Sequence, residues 1–257
     1  MNTLVIYPGR FHPFHKGHKM VYDWLVKQYG VESVYIATTN SQAPLTSPFS
    51  FDEKFTMMTS LGVPTDKVVQ VKNPYQAKEI TSNFDPETTK LIFAVSEKDA
   101  ERFNFAPKKD GSPGYLQPLE DKSKKPFKEH GYVTLVPTFT FKVASQDANS
   151  ATQIRASYIS GNDQDRDQII HDLYGKVDPK IKAILDTKLS KSAQVQEAFN
   201  TIRKSALTEQ KIAWVQRVLT LESAIQQEMN PNILNEDLEY VGNMLKEQQP
   251  SSRRYRK

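Results

Sequence analysis

Residues Tyr7 to His18 read "YPGRFHPFHKGH", and they hold His12, His15 and His18, three of the chain's five histidines. The stretch follows the first apolar run, "TLVIY" from Thr3 to Tyr7, which gives way to Pro8-Gly9. That is the pattern of a buried strand and the turn that ends it. From about Gly17 to Tyr29 the period changes, with Met20, Val21, Trp24 and Leu25 recurring at helical spacing. A strand that turns into a helix in this way presents backbone N–H groups and a positive helix end to an anion. Gly9 permits a turn or a close backbone approach, and Gly17 would let a ligand sit against the helix start. If the helix begins between His15 and His18, both imidazoles can face one side of its N-terminus. With Arg10 beside them they form a phosphate cradle that holds charge as it develops on phosphoryl oxygens.

Further strands follow at "SVYIAT" (Ser33 to Thr38), "KVVQV" (Lys67 to Val71), "LIFAVS" (Leu91 to Ser96) and "YVTLVP" (Tyr132 to Pro137). Ser50 precedes Glu53 by three residues, a capping-box pair that opens a helix carrying Phe55 and Met58. Apolar strands alternating with helices predict an α/β fold, a Rossmann-like parallel sheet with flanking helices. Ligands of such sheets lie beyond the carboxyl ends of the strands, where the opening motif falls. The stretch from Phe105 to His130, with "KKDGSPG" and "EDKSKK", reads as a long solvated surface insertion. After about Gly175 the pattern is all-helical. Val195, Phe199 and Ile202 form one stripe, Trp214, Val218, Leu221 and Ile225 a second, and Leu234, Leu238, Val241 and Leu245 a third. Asn230-Pro231 divides the last two, which can close as a hairpin. The expected units are therefore an α/β domain over 1–175 that carries the phosphate cradle and a helical region over 176–257, the latter offering a surface for self-association or a protein partner.

Composition narrows the chemistry. The 257 residues include no cysteine, which excludes a thiolate nucleophile, a disulfide framework and Cys-ligated metal. No apolar run approaches the roughly 20 residues that span a bilayer, and the N-terminus lacks a signal-peptide pattern, so a cytoplasmic protein is expected. The net charge of +4 suits a phosphate-bearing ligand better than nucleic acid. Two histidines fall short of the three or four ligands of a zinc site, and no H-E-x-x-H pattern completes one.

"GRFHPFHKGH" resembles the H-x-G-H signature of the nucleotidylyltransferase superfamily. Within that superfamily it looks most like the nicotinamide mononucleotide adenylyltransferases of the archaeal and bifunctional bacterial type. The preceding Tyr-Pro-Gly is also similar to phosphopantetheine adenylyltransferases, which usually have threonine where His15 stands. The superfamily has a second, Ser/Thr-rich signature at the start of a late helix, and "SATQIR" from Ser150 to Arg155 looks like it, with Asn149 where isoleucine is usual. The resemblance runs from Met1 to Tyr174. It implies ATP as substrate, with Mg²⁺ on its phosphates and no protein-held metal. His15, His18 and Arg155 would be the catalytic residues. Gly9, Arg10, Phe11, Gly17, Ser150 and Thr152 would bind ATP and its phosphates.

The acceptor side is less defined. "PFSFDEKFTMM" resembles the superfamily's helix that often carries arginine where Lys54 stands, and "FAVSEKDAERF" occupies the strand end that contacts nucleotide. Lys54, Glu97 and Asp99 are therefore candidate acceptor-binding residues. "KLSKS" (Lys188 to Ser192) looks like the second signature of class I aminoacyl-tRNA synthetases, but its place among helices reads as an interhelical turn. The activity implied is adenylyl transfer to a phosphate-bearing acceptor, nicotinamide mononucleotide first. Phosphopantetheine, a flavin nucleotide, or a sugar phosphate with CTP are alternatives, as is a nucleotide-binding interaction protein that works through its C-terminal helices.

Overall fold

A computed structural model describes residues 1–204, other than Arg102, Asn104, 121–123 and Asn149, together with Gln216, Leu219 and Thr220. The second and third expected stripes and the Asn230-Pro231 hairpin lie outside the described residues, as do the side chains of Val195, Phe199 and Ile202.

The first strand, β1 (Asn2–Pro8), runs through the middle of a six-stranded sheet. Next come α1 (Lys16–Tyr29), β2 (Val34–Thr38), α2 (Phe51–Ser60), β3 (Val68–Gln70) and the short α3 (Lys78–Thr81). The chain then crosses to the other side of β1 with β4 (Thr89–Val95), followed by α4 (Glu97–Ala100), β5 (Leu116–Pro118) and β6 (Gly131–Leu135). The strand order is β3-β2-β1-β4-β6-β5, and every pair is parallel. Val5 lies opposite Val34 on one side and Ile92 on the other. The order reverses between β1 and β4, so the crevice beyond Pro8 and Val95 is where a ligand of such a sheet binds.

The alternation along β1 and β4 builds two cores. Val5, Tyr7, Ile92 and Ala94 join a cluster with α1, α2 and the late helices. Leu4, Ile6, Leu91, Phe93 and Val95 join the cluster on the opposite face with Ile80 of α3. Both faces are covered, which is why these strands read as unbroken apolar runs.

Phe105 to His130 is not one loop. Leu116–Pro118 pairs in parallel with β6 as an edge strand, Leu116 opposite Gly131. Its register leaves no room for a side chain on Gly131, where a Cβ would stand 2.9 Å from Leu116. Among the insertion's lysines, Lys125 pairs with Glu129 and Lys128 with Glu87 on the surface.

After β6 come the hairpin β7 (Phe141–Val143) and β8 (Gln146–Ala148), then α5 (Ala151–Ser160), α6 (Asp163–Tyr174) and α7 (Pro179–Lys204). The helix α7 runs unbroken through "KLSKS", so that stretch is helical and not an interhelical turn. No proline or glycine lies within it after Pro179 to stop it. Ile181, Leu185 and Leu189 of α7 are buried in the same cluster as Val5 and Tyr7. Lys188 meets Gln42 and Glu53 instead of a phosphate motif. Among the described residues no helix is long and apolar enough to cross a membrane.

Candidate active site

The turn after β1 is set first by its backbone. Gly9 N–H donates to Ala37 O, tying the turn to β2. Phe11 adopts a positive φ of 55°, folding its ring back over Gly9. A Cβ on Gly9 would stand 2.5 Å from that ring, so only glycine fits there. The Phe11 ring is buried and meets Tyr7, Phe14 and His18 edge-on. It is a wall of the turn.

The start of α1 is capped by histidines. His15 is the N-cap, and its Nδ1 accepts from Gly17 N–H at 3.1 Å. His18 reaches back, and its Nδ1 accepts from His15 N–H at 3.3 Å. This is a capping box in which imidazoles take the parts usually given to a hydroxyl and a carboxylate. The two rings stack with centroids 3.8 Å apart. Burial pulls the His15 pKa down to about 3, and burial together with His15 pulls His18 well below the usual histidine value. Both are neutral at pH 7. A neutral ring that accepts at Nδ1 carries its proton on Nε2, so each presents an Nε2–H donor. The His15 Nε2 is buried and has no hydrogen-bond partner among the described residues.

Gly17 has a different reason from the one its sequence suggests. The hairpin β7–β8 places Phe141 against the helix start, where a Cβ on Gly17 would be 2.6 Å from the ring. The same ring packs on His15 at 5.3 Å. A protein side chain, not a ligand, therefore fills the space that glycine leaves.

The second motif sits across from the first. Ser150 is the N-cap of α5 and accepts from Gln153 N–H. One turn on, the Arg155 guanidinium donates to His12 O, to Leu45 O and to Thr152 Oγ1. Burial and the neighbouring Arg10 lower the Arg155 pKa, which marks two like charges held close together in a sheltered place. An anion between Arg10 and Arg155 would relieve that repulsion.

Lys54 comes from α2 and is fully buried. Its ammonium donates to Thr38 Oγ1 at 2.8 Å, to Thr39 O at 2.5 Å and to Arg10 O at 3.3 Å. Burial lowers its pKa to about 7. All three acceptors belong to the protein, so Lys54 joins the Arg10 turn to the end of β2. Glu97 and Asp99 lie at the end of β4, across the crevice from the β1 turn. Glu97 is exposed, whereas Asp99 engages Ser96, the N-cap of α4, through backbone and side chain. Burial and Asp99 together push the Tyr7 pKa up.

The structure thus gathers Gly9, Arg10, Phe11, His15, Gly17, His18 and Arg155 around one turn, with Ser150 and Thr152 at the start of α5. Three further residues are given no role by the motif matches. Tyr174 donates from its hydroxyl to Phe14 O at 2.7 Å, fixing the motif from α6. Phe141 holds His15, as above. His12 is buried, with its Nδ1 accepting from Phe49 N–H at 3.2 Å. Among the described residues no group of three or more His, Asp or Glu is placed to hold a metal. The imidazoles present N–H and not lone pairs, so these side chains do not fit a metal held by the protein.

The family model described as cytidylyltransferase-like matches residues 6–156. A nicotinamide-nucleotide adenylyltransferase from Sulfurisphaera tokodaii is 32% identical over 53 residues, which is 21% of this chain and 31% of that protein. The match thus spans about a third of that relative's length. Among solved structures, a bifunctional NMN adenylyltransferase/ADP ribose pyrophosphatase from Francisella tularensis, complexed with AMP and manganese, aligns at 18% identity over 84% of this chain and 56% of that one, with a TM-score of 0.45. A nicotinic acid mononucleotide adenylyltransferase from Plasmodium falciparum aligns at 16% identity over 74% of this chain and 97% of that one, with a TM-score of 0.39.

Proposed function

The chain belongs to the cytidylyltransferase-like family, and from that premise we propose that it moves an adenylyl group from ATP to the phosphate of nicotinamide mononucleotide, giving NAD and pyrophosphate. The observation that carries this proposal is the pair of stacked, neutral imidazoles at the start of α1, each with its proton on Nε2, beside Arg10 and Arg155. The Sulfurisphaera tokodaii relative is a nicotinamide-nucleotide adenylyltransferase, which supports the choice of acceptor.

In this mechanism an acceptor phosphate oxygen attacks the α-phosphorus of ATP in line. The new P–O bond forms as the bond to the β-phosphate oxygen breaks, and pyrophosphate leaves. No general base is needed, because the attacking phosphate is already ionised near pH 7. The imidazoles could not supply one, since Nδ1 is engaged and Nε2 is protonated. They donate instead, to the α- and β-phosphate oxygens where charge builds. Arg10 and Arg155 take the outer phosphates, for which a guanidinium fork is well shaped. Ser150, Thr152 and the first amides of α5 complete that end. Lys54 keeps the Arg10 turn in place. Mg²⁺ enters as part of the nucleotide substrate and neutralises its phosphates.

The test is pyrophosphate release from ATP and Mg²⁺ against a panel of acceptors, namely nicotinamide mononucleotide, nicotinic acid mononucleotide, phosphopantetheine, a flavin nucleotide and a sugar phosphate, repeated with CTP. Release with ATP and nicotinamide mononucleotide is the expected result. Release with another acceptor alone moves the substrate and keeps the chemistry. No release with any pair overturns the proposal.

A further inference from the structure

One imidazole of the motif has no part in the capping box. The side chain of His12 is 4% exposed and lies parallel to the Phe49 ring, 14° between planes. Its Nδ1 accepts from Phe49 N–H, which places the ring proton on Nε2. That Nε2 is buried and has no hydrogen-bond partner among the described residues. A buried donor left unmade is costly, and where one persists a ligand or water is the usual explanation. Its surroundings favour a charged ligand. The ring lies in the field of Lys54, Arg155 and Arg10, which adds to burial in pulling its pKa down to about 2. Arg155 also donates to the carbonyl of His12 itself. Two guanidinium groups, with Lys54 adding to the field when protonated, thus draw an anion to a place where a neutral N–H waits.

We propose that His12 is a third nucleotide-binding imidazole, whose Nε2–H donates to a phosphate oxygen of the triphosphate held by Arg10 and Arg155. This rests on the nucleotide-transfer reading above and goes beyond it, because neither the capping box nor the two signatures assign His12. The three rings share one logic. Each gives Nδ1 to a backbone N–H and keeps Nε2–H for the ligand. His15 and His18 do so at the helix start, and His12 does so from the turn, on the side of Arg155.

Two isosteric changes separate the two ends of the ring. Asparagine can set its side-chain oxygen near the place of Nδ1, keeping the Phe49 N–H paired while removing the Nε2 donor. Glutamine can set its side-chain nitrogen near the place of Nε2, keeping a donor while losing the Nδ1 acceptor. The full chain and its His12→Asn and His12→Gln variants are titrated calorimetrically with ATP and Mg²⁺ and no acceptor, and their thermal unfolding is compared. His12→Asn should unfold close to the parent protein and bind ATP about 10- to 100-fold more weakly, as expected for loss of a hydrogen bond to a charged group. His12→Gln should unfold at a lower temperature and bind ATP within about threefold of the parent. Parent-like ATP affinity in His12→Asn overturns the proposal, as does a tenfold loss in His12→Gln. If His12→Asn does not fold, the glutamine variant decides by the same criteria. Either result leaves the nucleotide-transfer reading standing, provided the parent protein binds ATP or CTP. A parent that binds neither removes both.

Discussion

The edge of the Phe141 ring occupies the space that a side chain on Gly17 would need, 2.6 Å from where a Cβ would stand. The same ring leans on His15, so the contact ties a hairpin far along the chain to the first imidazole. Gly17→Ala should therefore cost about 1–3 kcal/mol by overpacking and lower turnover by moving His15. Phe141→Leu in the same chain frees space and should recover part of the stability. Denaturant unfolding of the two single variants and the double variant measures the coupling. Strictly additive losses would show that the two residues do not compete for the same space.

His18→Ala removes one half of the capping box and, in the proposed mechanism, one phosphate donor. Turnover should fall by roughly 10²–10³, the usual cost of a lost donor to developing charge. The helix should hold, because His15 still caps Gly17 N–H and α1 still buries Val21, Tyr22 and Leu25. Steady-state kinetics with circular dichroism as the folding control checks this, and a folded variant with parent-like turnover contradicts the role.

Arg155 and Lys188 make an informative pair, since each lies in a stretch that looks like a phosphate signature. Arg155 spans His12 O and Leu45 O beside Arg10, whereas Lys188 holds Glu53 and Gln42. Arg155→Ala should raise the KM for ATP and lower kcat, and Lys188→Ala should leave both within about twofold while lowering the unfolding temperature by a few degrees. Inactivation by the lysine change, with the arginine change silent, would reverse the assignment.

Acid should weaken the protein through its histidines. His12 and His15 have folded pKa values of about 2 and about 3, far below the ordinary value of 6.5. Between these limits the unfolded chain binds protons that the folded chain refuses. Their contribution is therefore fully present above about pH 6.5 and lost as the pH falls towards 3. Each histidine adds a slope of about 1.4 kcal/mol per pH unit across that window. His12→Asn should show a stability-against-pH slope smaller by about one proton between pH 6 and 4, measured by urea unfolding. An unchanged slope would mean that His12 is already charged in the folded protein.

Much of the sheet is legible in the sequence because buried parallel strands leave unbroken apolar runs, as at Leu4-Val5-Ile6 and Leu91 to Val95. The capping box of Ser50 and Glu53 is equally plain, since its chemistry is local. What escapes is what depends on distant partners. The strand Leu116–Pro118 is short, ends in proline and sits among lysines, and only its pairing with β6 makes it a strand. The β7–β8 hairpin turns on Ala144 and Ser145, both at positive φ, without the Asn-Gly pair that usually signals such a turn. Asp172 of α6 accepts from Ala144 N–H and steadies it. Lys54 looks like a ligand-binding cation until its three protein acceptors are seen. The periodicity of Ile181, Leu185 and Leu189 is visible in the sequence, but not that it packs into the same core as Val5 and Tyr7 of β1.

Two bonds reach a long way back along the chain: Arg155 to the carbonyl of His12, 143 residues earlier, and Tyr174 to the carbonyl of Phe14, 160 residues earlier. On the ribosome the order of arrival matters. The six strands have all been made by Leu135, and every strand-to-strand pairing among them lies within that length, although one face of the sheet is covered only by the later helices. The turn that carries the three imidazoles must wait for α5 and α6, over separations that slow folding. A nascent chain can therefore pair its strands before it fixes the motif turn, and residues 9–18, translated early, are among the last to be set in place.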